Sequence, residues 1–395
     1  MEYNLLVLFL IFLSFIEVFC YVKNKNTIYI ILLIIYCIFF GLRGFVAWDW
    51  YNYYPEFMRI PPVYEISKIN FEGEFLYKIL QSFFKIFSNN YHVYVFFTTL
   101  IEGVCLFFIF RKYSPYPCLS MLLFVGFGGI GLQFDLMRNI KSLIISLISL
   151  QYICEHKFFK YSIMNLFASL IHISSIVFLP LYYLLKKNIY KSKKILILIF
   201  FLGVFNLLFF NNTLLNLLEF IRDFFLFLDM PIAEIIVTKI NTHLGTFNSN
   251  ANPIGLNFIE KLFMSVFIFK NKEKILKFKY GNTFLNMFFV YIFLYLYGNG
   301  VKIIFQRFGL LFVSSYWILF PMILKESVKL RKMCLFYFII LFCIVKVNHS
   351  FVFRDVDKEL YEYKNILFIN EIYEEKKIIY EKVLQELNMN FTKIY

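Results

Sequence analysis

Apolar residues in this chain run in blocks of about 17–20, the length at which an α-helix matches the hydrocarbon thickness of a bilayer. The blocks recur along most of the 395 residues. Soluble domains hold about 45–50% apolar and about 25% charged residues. Here 60% of residues are hydrophobic and 17% charged. Two or three soluble domains, which the length alone would permit, are therefore excluded. The pattern predicts an all-α polytopic membrane protein. Ten full spans are expected, at about 4–22, 27–42, 91–110, 117–134, 139–154, 194–211, 254–270, 282–298, 307–324 and 333–350. The start, Met1-Glu2, has no basic n-region or small-residue cleavage site, so the first block is expected to be a retained span.

Charge sets the expected sidedness. Short loops rich in Lys and Arg stay in the cytoplasm. The loops at residues 23–25, 111–112, 155–160, 186–194, 270–279 and 325–332 together carry +17 of a chain total of +14, leaving −3 elsewhere. The positive charge is thus a topology signal, and no nucleic-acid partner is needed to explain it. Both termini are expected outside, with outer amphipathic segments at 43–90 and 212–253. One further apolar block, 161–185, has cytoplasmic loops on both sides, so a single crossing would break the alternation. A re-entrant or short-helix pair, about 161–171 and 174–185, resolves this and places His172 at the turn. Broken helices at membrane depth occur only where they pack in protein or line a wet cavity. The expected organisation is a transmembrane domain over 1–350 and a periplasmic tail over 351–395. In the tail Ile369, Tyr373, Ile378, Ile379, Val383 and Leu387 fall on one side of a short amphipathic helix.

Several chemistries lack their residues. The chain has no HExxH, Walker A or GxSxG motif and no acidic metal site, so neither metal nor cofactor is expected. Its seven cysteines form no CxxC pair and read as free buried thiols. Gly126-Phe127-Gly128-Gly129-Ile130-Gly131 matches GxGxxG, but inside an apolar span. There it predicts close helix packing or a kink.

Ionisable residues at or near membrane depth remain, and such residues are costly and usually functional. Arg43 and Asp49 lie at the exit of the second span, among Trp48, Trp50, Tyr51, Tyr53 and Tyr54. These rings suit either an interfacial aromatic belt or stacking on sugars. Asp135, Arg138, Asn139 and Lys141 form a second cluster, and His172 with Ser174 and Ser175 a third. Lys302, Gln306 and Arg307 form a fourth, and Tyr361, Tyr363, Lys364 and Asn365 a fifth. A lone His on an apolar segment also fits a purely structural, hydrogen-bonded role. Four of these clusters fall on the expected outer side, where Arg forks and Lys point charges suit a lipid-linked phosphate.

The same residues resemble a known family. Arg43 with Asp49 and Tyr53 resembles a signature of EpsG-like and Wzy-type polysaccharide polymerases, with Ala47 standing where that family commonly has Gly. Met137-Arg138-Asn139-Ile140 resembles the start of one of its spans, with Asn139 in place of Gln. Leu170 to Ser175, Gln306-Arg307-Phe308 and Tyr363 to Leu367 resemble three later elements, the last without its Pro. The resemblance implies a glycosyltransferase of the bacterial inner membrane that polymerises O-antigen or capsule repeat units on the periplasmic side. Its donor and acceptor would be undecaprenyl-diphosphate-linked oligosaccharides, with a flippase and a chain-length regulator as further partners. In that reaction Arg138 and Arg307, with Arg43 as a third candidate, suit the diphosphate. Lys364, Tyr53 and Tyr363 are further substrate contacts, and either Asp49 or His172 is the base. An O-antigen ligase, a lipid-linked oligosaccharide flippase and an acyltransferase are the alternatives.

Overall fold

The structure, a computed structural model, describes residues 2–21, 23–69, 74–189, 193–209, 219–220, 222–223, 255–298, 308–354, 357–369 and 372–393. The expected outer segment 212–253 and the site candidate Arg307 lie almost wholly or wholly outside them. The described residues are helical and contain no strand, only an isolated antiparallel bridge between Arg43 and Asn365. They divide into two compact units, Met1–Pro180 with Tyr316–Tyr395, and Leu181–Ser315.

The first unit opens with α1 (Glu2–Phe19), α2 (Lys25–Tyr36, prolonged by a π turn to Gly41), α3 (Trp50–Arg59), α4 (Phe75–Phe84) and α5 (Tyr91–Tyr113). Next come α6 (Pro117–Phe124), α7 (Ile130–Phe134), α8 (Met137–Ser149), α9 (Gln151–Cys154), α10 (Phe158–Ile171) and α11 (Phe178–Lys186), which runs on past the unit boundary. Helix α1 is apolar on its exposed face as well as over most of its buried one. Leu6, Val7, Leu10 and Leu13 are buried, while Leu5, Leu8, Phe12 and Phe15 stay exposed. A helix with an apolar exposed face suits lipid, not water. The protein is accordingly a membrane protein.

Four described helices are long and apolar enough to cross a bilayer: Glu2–Phe19, Tyr91–Tyr113, Pro117–Phe134 and Phe308–Lys325. The other expected spans are shorter or more polar. The block at 139–154 divides into α8 and α9, and α8 buries Asn139, Lys141, Ser142, Ser146 and Ser149. The block at 161–185 breaks at His172, whose backbone is extended (φ −152°, ψ 122°). Tyr161 Oη donates to the Phe178 carbonyl (2.6 Å), and Ser175 Oγ donates to the His172 carbonyl (2.9 Å), which ties the chain together across the break.

The glycine-rich stretch is a kink. Val125–Gly129 forms a π turn with Gly128 at φ 91°. A Cβ on Gly126 would meet Cys343 Sγ at 2.6 Å, so only glycine lets these helices approach. The Trp317 indole donates to the Phe127 carbonyl (3.1 Å) that the kink exposes.

The second unit contains α12 (Lys193–Phe209), α13 (Leu256–Lys270), α14 (Lys272–Ile275) and α15 (Gly281–Gly298). Helix α15 packs on α12. Tyr297 Oη donates to the Ile199 carbonyl (2.7 Å), and Asn286 Nδ2 to those of Leu185 and Lys187.

The chain returns to the first unit through α16 (Ser314–Lys325), α17 (Lys329–Val347) and α18 (Lys358–Tyr361), and ends in α19 (Tyr373–Lys393). The described part of the tail packs with Tyr373, Lys376, Tyr380 and Val383 inward, whereas Ile369 and Ile378 are exposed. Tyr373 and Val383 thus face inward as expected, while Lys376 and Tyr380 take the place of the expected Ile369 and Ile378, because aromatic stacking on α3 sets the face. Tyr380 stacks on Tyr51 (4.1 Å between centroids, 5° between planes) and Tyr373 on Tyr54 (4.3 Å). The cysteines form no disulfide among the described residues. Cys37, Cys118 and Cys343 are buried, but Cys20 and Cys334 are exposed, contrary to the expectation for all seven.

Candidate functional site

The site begins at the entry to α3. Ala47 turns the chain through the left-handed region (φ 71°) and donates its N–H to the Leu360 carbonyl (2.8 Å). Asp135, in the short turn between α7 and α8, then caps α3. Its Oδ1 accepts the Trp48 N–H (2.6 Å) and Asp49 N–H (3.3 Å), and its Oδ2 accepts the Tyr361 hydroxyl (3.0 Å). Burial pushes the Asp135 carboxyl above its ordinary range, against these donors. One turn into α3, Tyr53 Oη lies 3.2 Å from Asp49 Oδ2 and 3.3 Å from the Asp135 carbonyl.

Arg138 opens α8 on the far side of Tyr53. Its guanidinium lies over the Tyr53 ring (5.1 Å) and the Tyr77 ring (5.6 Å). Glu74, at the head of α4, meets Arg138 Nη1 through Oε2 (2.9 Å) and His172 Nδ1 through Oε1. One carboxylate therefore holds the imidazole at the break after α10 and the guanidinium at the start of α8. The group is partly open: the Arg138 side chain is 32% exposed, His172 19% and Glu74 15%.

Tyr53, Arg138 and His172, three of the residues singled out from sequence, thus meet around Glu74 and Tyr77, and Asp49 joins them through Tyr53. Arg43, Tyr363 and Lys364 belong to a different arrangement. The buried Arg43 donates to the Phe40 carbonyl and to the Gln133 carbonyl (2.7 Å). Around it the tail is clipped on, with Gly44 N–H to the Lys364 carbonyl (2.8 Å) and Ile366 N–H to the Leu42 carbonyl (2.9 Å). Tyr363 stacks on Phe39 (4.4 Å, 4°) and donates to its carbonyl (2.9 Å).

Glu74 escaped the sequence reading. It lies 64 residues before Arg138 and 98 before His172 in the chain. Its only local signal is its place in Phe71-Glu72-Gly73-Glu74, ahead of an amphipathic helix. Among the described residues no group of three His, Cys, Asp or Glu is placed to hold a metal ion.

The described residues thus place a carboxylate–imidazole–guanidinium group beside tyrosine rings in a helical membrane protein. A sequence profile of the EpsG family matches residues 26–365, and the chain belongs to that family. The family is associated with polysaccharide polymerisation, a glycosyltransferase-like activity. No curated protein and no solved structure matches the chain.

Proposed function

We propose that the protein polymerises undecaprenyl-diphosphate-linked oligosaccharide repeat units on the periplasmic face of the bacterial inner membrane. The growing glycan passes from its lipid carrier to the incoming lipid-linked unit. Family membership supports this reading, and the observation that carries it is Glu74 holding both His172 and Arg138.

The reaction needs a proton acceptor and a cation. The acceptor hydroxyl oxygen bonds to the anomeric carbon of the donor. The bond from that carbon to the diphosphate oxygen breaks, and its electron pair leaves with undecaprenyl diphosphate. With Nδ1 held by Glu74, Nε2 of His172 takes the hydroxyl proton. Arg138 offers its planar fork to the departing diphosphate, and its exposure suits that role better than the buried Arg43. Arg307 is the second proposed diphosphate ligand and Asp49 the alternative base. In this reading Arg43, Tyr363 and Lys364 serve by holding the tail against the site.

The test is the surface glycan ladder made by variants present in the membrane at wild-type level. His172→Gln is expected to leave mostly single repeat units, because losing a general base costs about 10²–10⁴ in rate. Glu74→Gln is expected to do the same, and the double variant to be no worse than either single one. Arg138→Lys keeps charge without the fork and should shorten the polymer. A full-length ladder from His172→Gln would remove His172 from the mechanism. A normal ladder from Arg138→Ala would remove the diphosphate assignment.

A further inference from the structure

Beside the Glu74 group lies a cleft of 610 Å³ that the mechanism above leaves unused. It is bordered by α3, by the segment from Ile60 to Lys68, by α4 and by the C-terminal helix α19. Its volume is within the roughly 300–1,000 Å³ typical of ligand sites. Arg59, Lys68, Lys78 and Lys377 line it, against one lining carboxylate, Glu56. Lys68 shares its charge with Glu65 at 2.9 Å. Lys78 lies within electrostatic reach of Glu56, and Arg59 and Lys377 line the cleft beside them, so cations outnumber acids and the complement is an anion.

The rest of the lining narrows the ligand further. Tyr51 and Tyr373 contribute rings, Asn52 an amide, and Pro55, Ile60 and Pro61 short aliphatic faces. An acyl chain seated there would lie against four cationic side chains and a carboxylate. Sugars, with apolar ring faces and hydroxyl rims, suit tyrosine and amide together. Lys78 of the lining lies one turn along α4 from Glu74, its N–H on the Glu74 carbonyl (3.2 Å), so the cleft adjoins the reacting group.

We infer that this cleft is a saccharide subsite and that the repeat unit it takes is acidic, bearing carboxylates on its sugars. The inference rests on the polymerase reading and names its substrate class. It also gives α19 a task, since Tyr373 and Lys377, one helical turn apart, complete the cleft wall.

The test is calorimetric binding to the full chain in detergent micelles, with trigalacturonate and maltotriose as probes. Trigalacturonate should bind at least about tenfold more tightly, and added salt should weaken it alone. Arg59→Gln and Lys377→Gln should each weaken it by about tenfold, with micelle size and helicity unchanged. Equal affinity for the two trisaccharides, or salt-independent binding, would overturn the inference without any recourse to the variants. Displacement of trigalacturonate by inorganic diphosphate at equal concentration would overturn it in favour of the carrier's diphosphate. Displacement by phosphatidylglycerol micelles would overturn it in favour of a lipid headgroup. Binding is read without turnover, so a failed ladder test and a failed binding test point to different errors.

Discussion

Ala47 is buried and sits at φ 71°, a conformation that a Cβ disfavours by roughly 1–2 kcal/mol. The position resembles one where the family commonly carries Gly, and the backbone now explains why. The turn must present the Ala47 N–H to the Leu360 carbonyl and its own carbonyl to the Trp50 indole (2.8 Å). Ala47→Gly is expected to leave the unfolding temperature in detergent unchanged or raised, since relief of strain offsets the entropy of glycine. Ala47→Val, β-branched at positive φ, is expected to lose about 2 kcal/mol or more. A valine variant as stable as wild type would show that this turn is not left-handed in the folded protein. At this scale the sequence disclosed the unusual residue types, Arg138 and His172 among them, because charge at an apolar border is visible one residue at a time. It did not disclose Glu74, whose importance lies only in what it touches.

Helix α8 is an element whose pattern misleads. Its polar residues interrupt what reads as a membrane span, yet they face inward. Lys141 Nζ lies 2.6 Å from Glu102 Oε1 on α5, with the two side chains 7% and 5% exposed. Gln133 Nε2 donates to the same carboxylate (2.9 Å). Removing one partner of a buried pair strands a charge and costs about 3–5 kcal/mol, whereas removing both is far milder. Lys141→Met and Glu102→Met should therefore each lower the unfolding temperature sharply, and the double variant should be more stable than either. Strictly additive effects in that thermal unfolding cycle would mean that the pair is not coupled. The tail helix teaches a related point. Its amphipathicity and the inward Tyr373 and Val383 were legible, but the rest of its docking face was not, because the aromatic surface of α3 selects Tyr380 over Ile378.

For the whole molecule, the proposed periplasmic site requires the Glu74 group and the loop at 155–160 to lie on opposite sides of the membrane. Single-cysteine probes in a background lacking all seven native cysteines would check this. Lys68→Cys should react with an impermeant thiol reagent in intact cells, and Lys157→Cys should react only after the membrane is opened. The reverse pattern would invert the topology and move the chemistry to the cytoplasm. The fold class, the apolar segments, the break at His172 and the kink at Gly126–Gly129 followed from sequence, because each depends on local composition or chain geometry. Span number was less legible. A block of apolar residues marks a helix but not its unbroken length, and polar residues inside α8 count equally whether they face protein or lipid. What only the tertiary structure decided is partnership. It spends Arg43 on backbone carbonyls, leaves Arg138 partly open, and brings Glu74 from a distant part of the chain to His172. Apolar burial is summed over neighbours along the chain and can be read in order. A charge takes its meaning from the few atoms within hydrogen-bonding distance, and the folded chain alone chooses those.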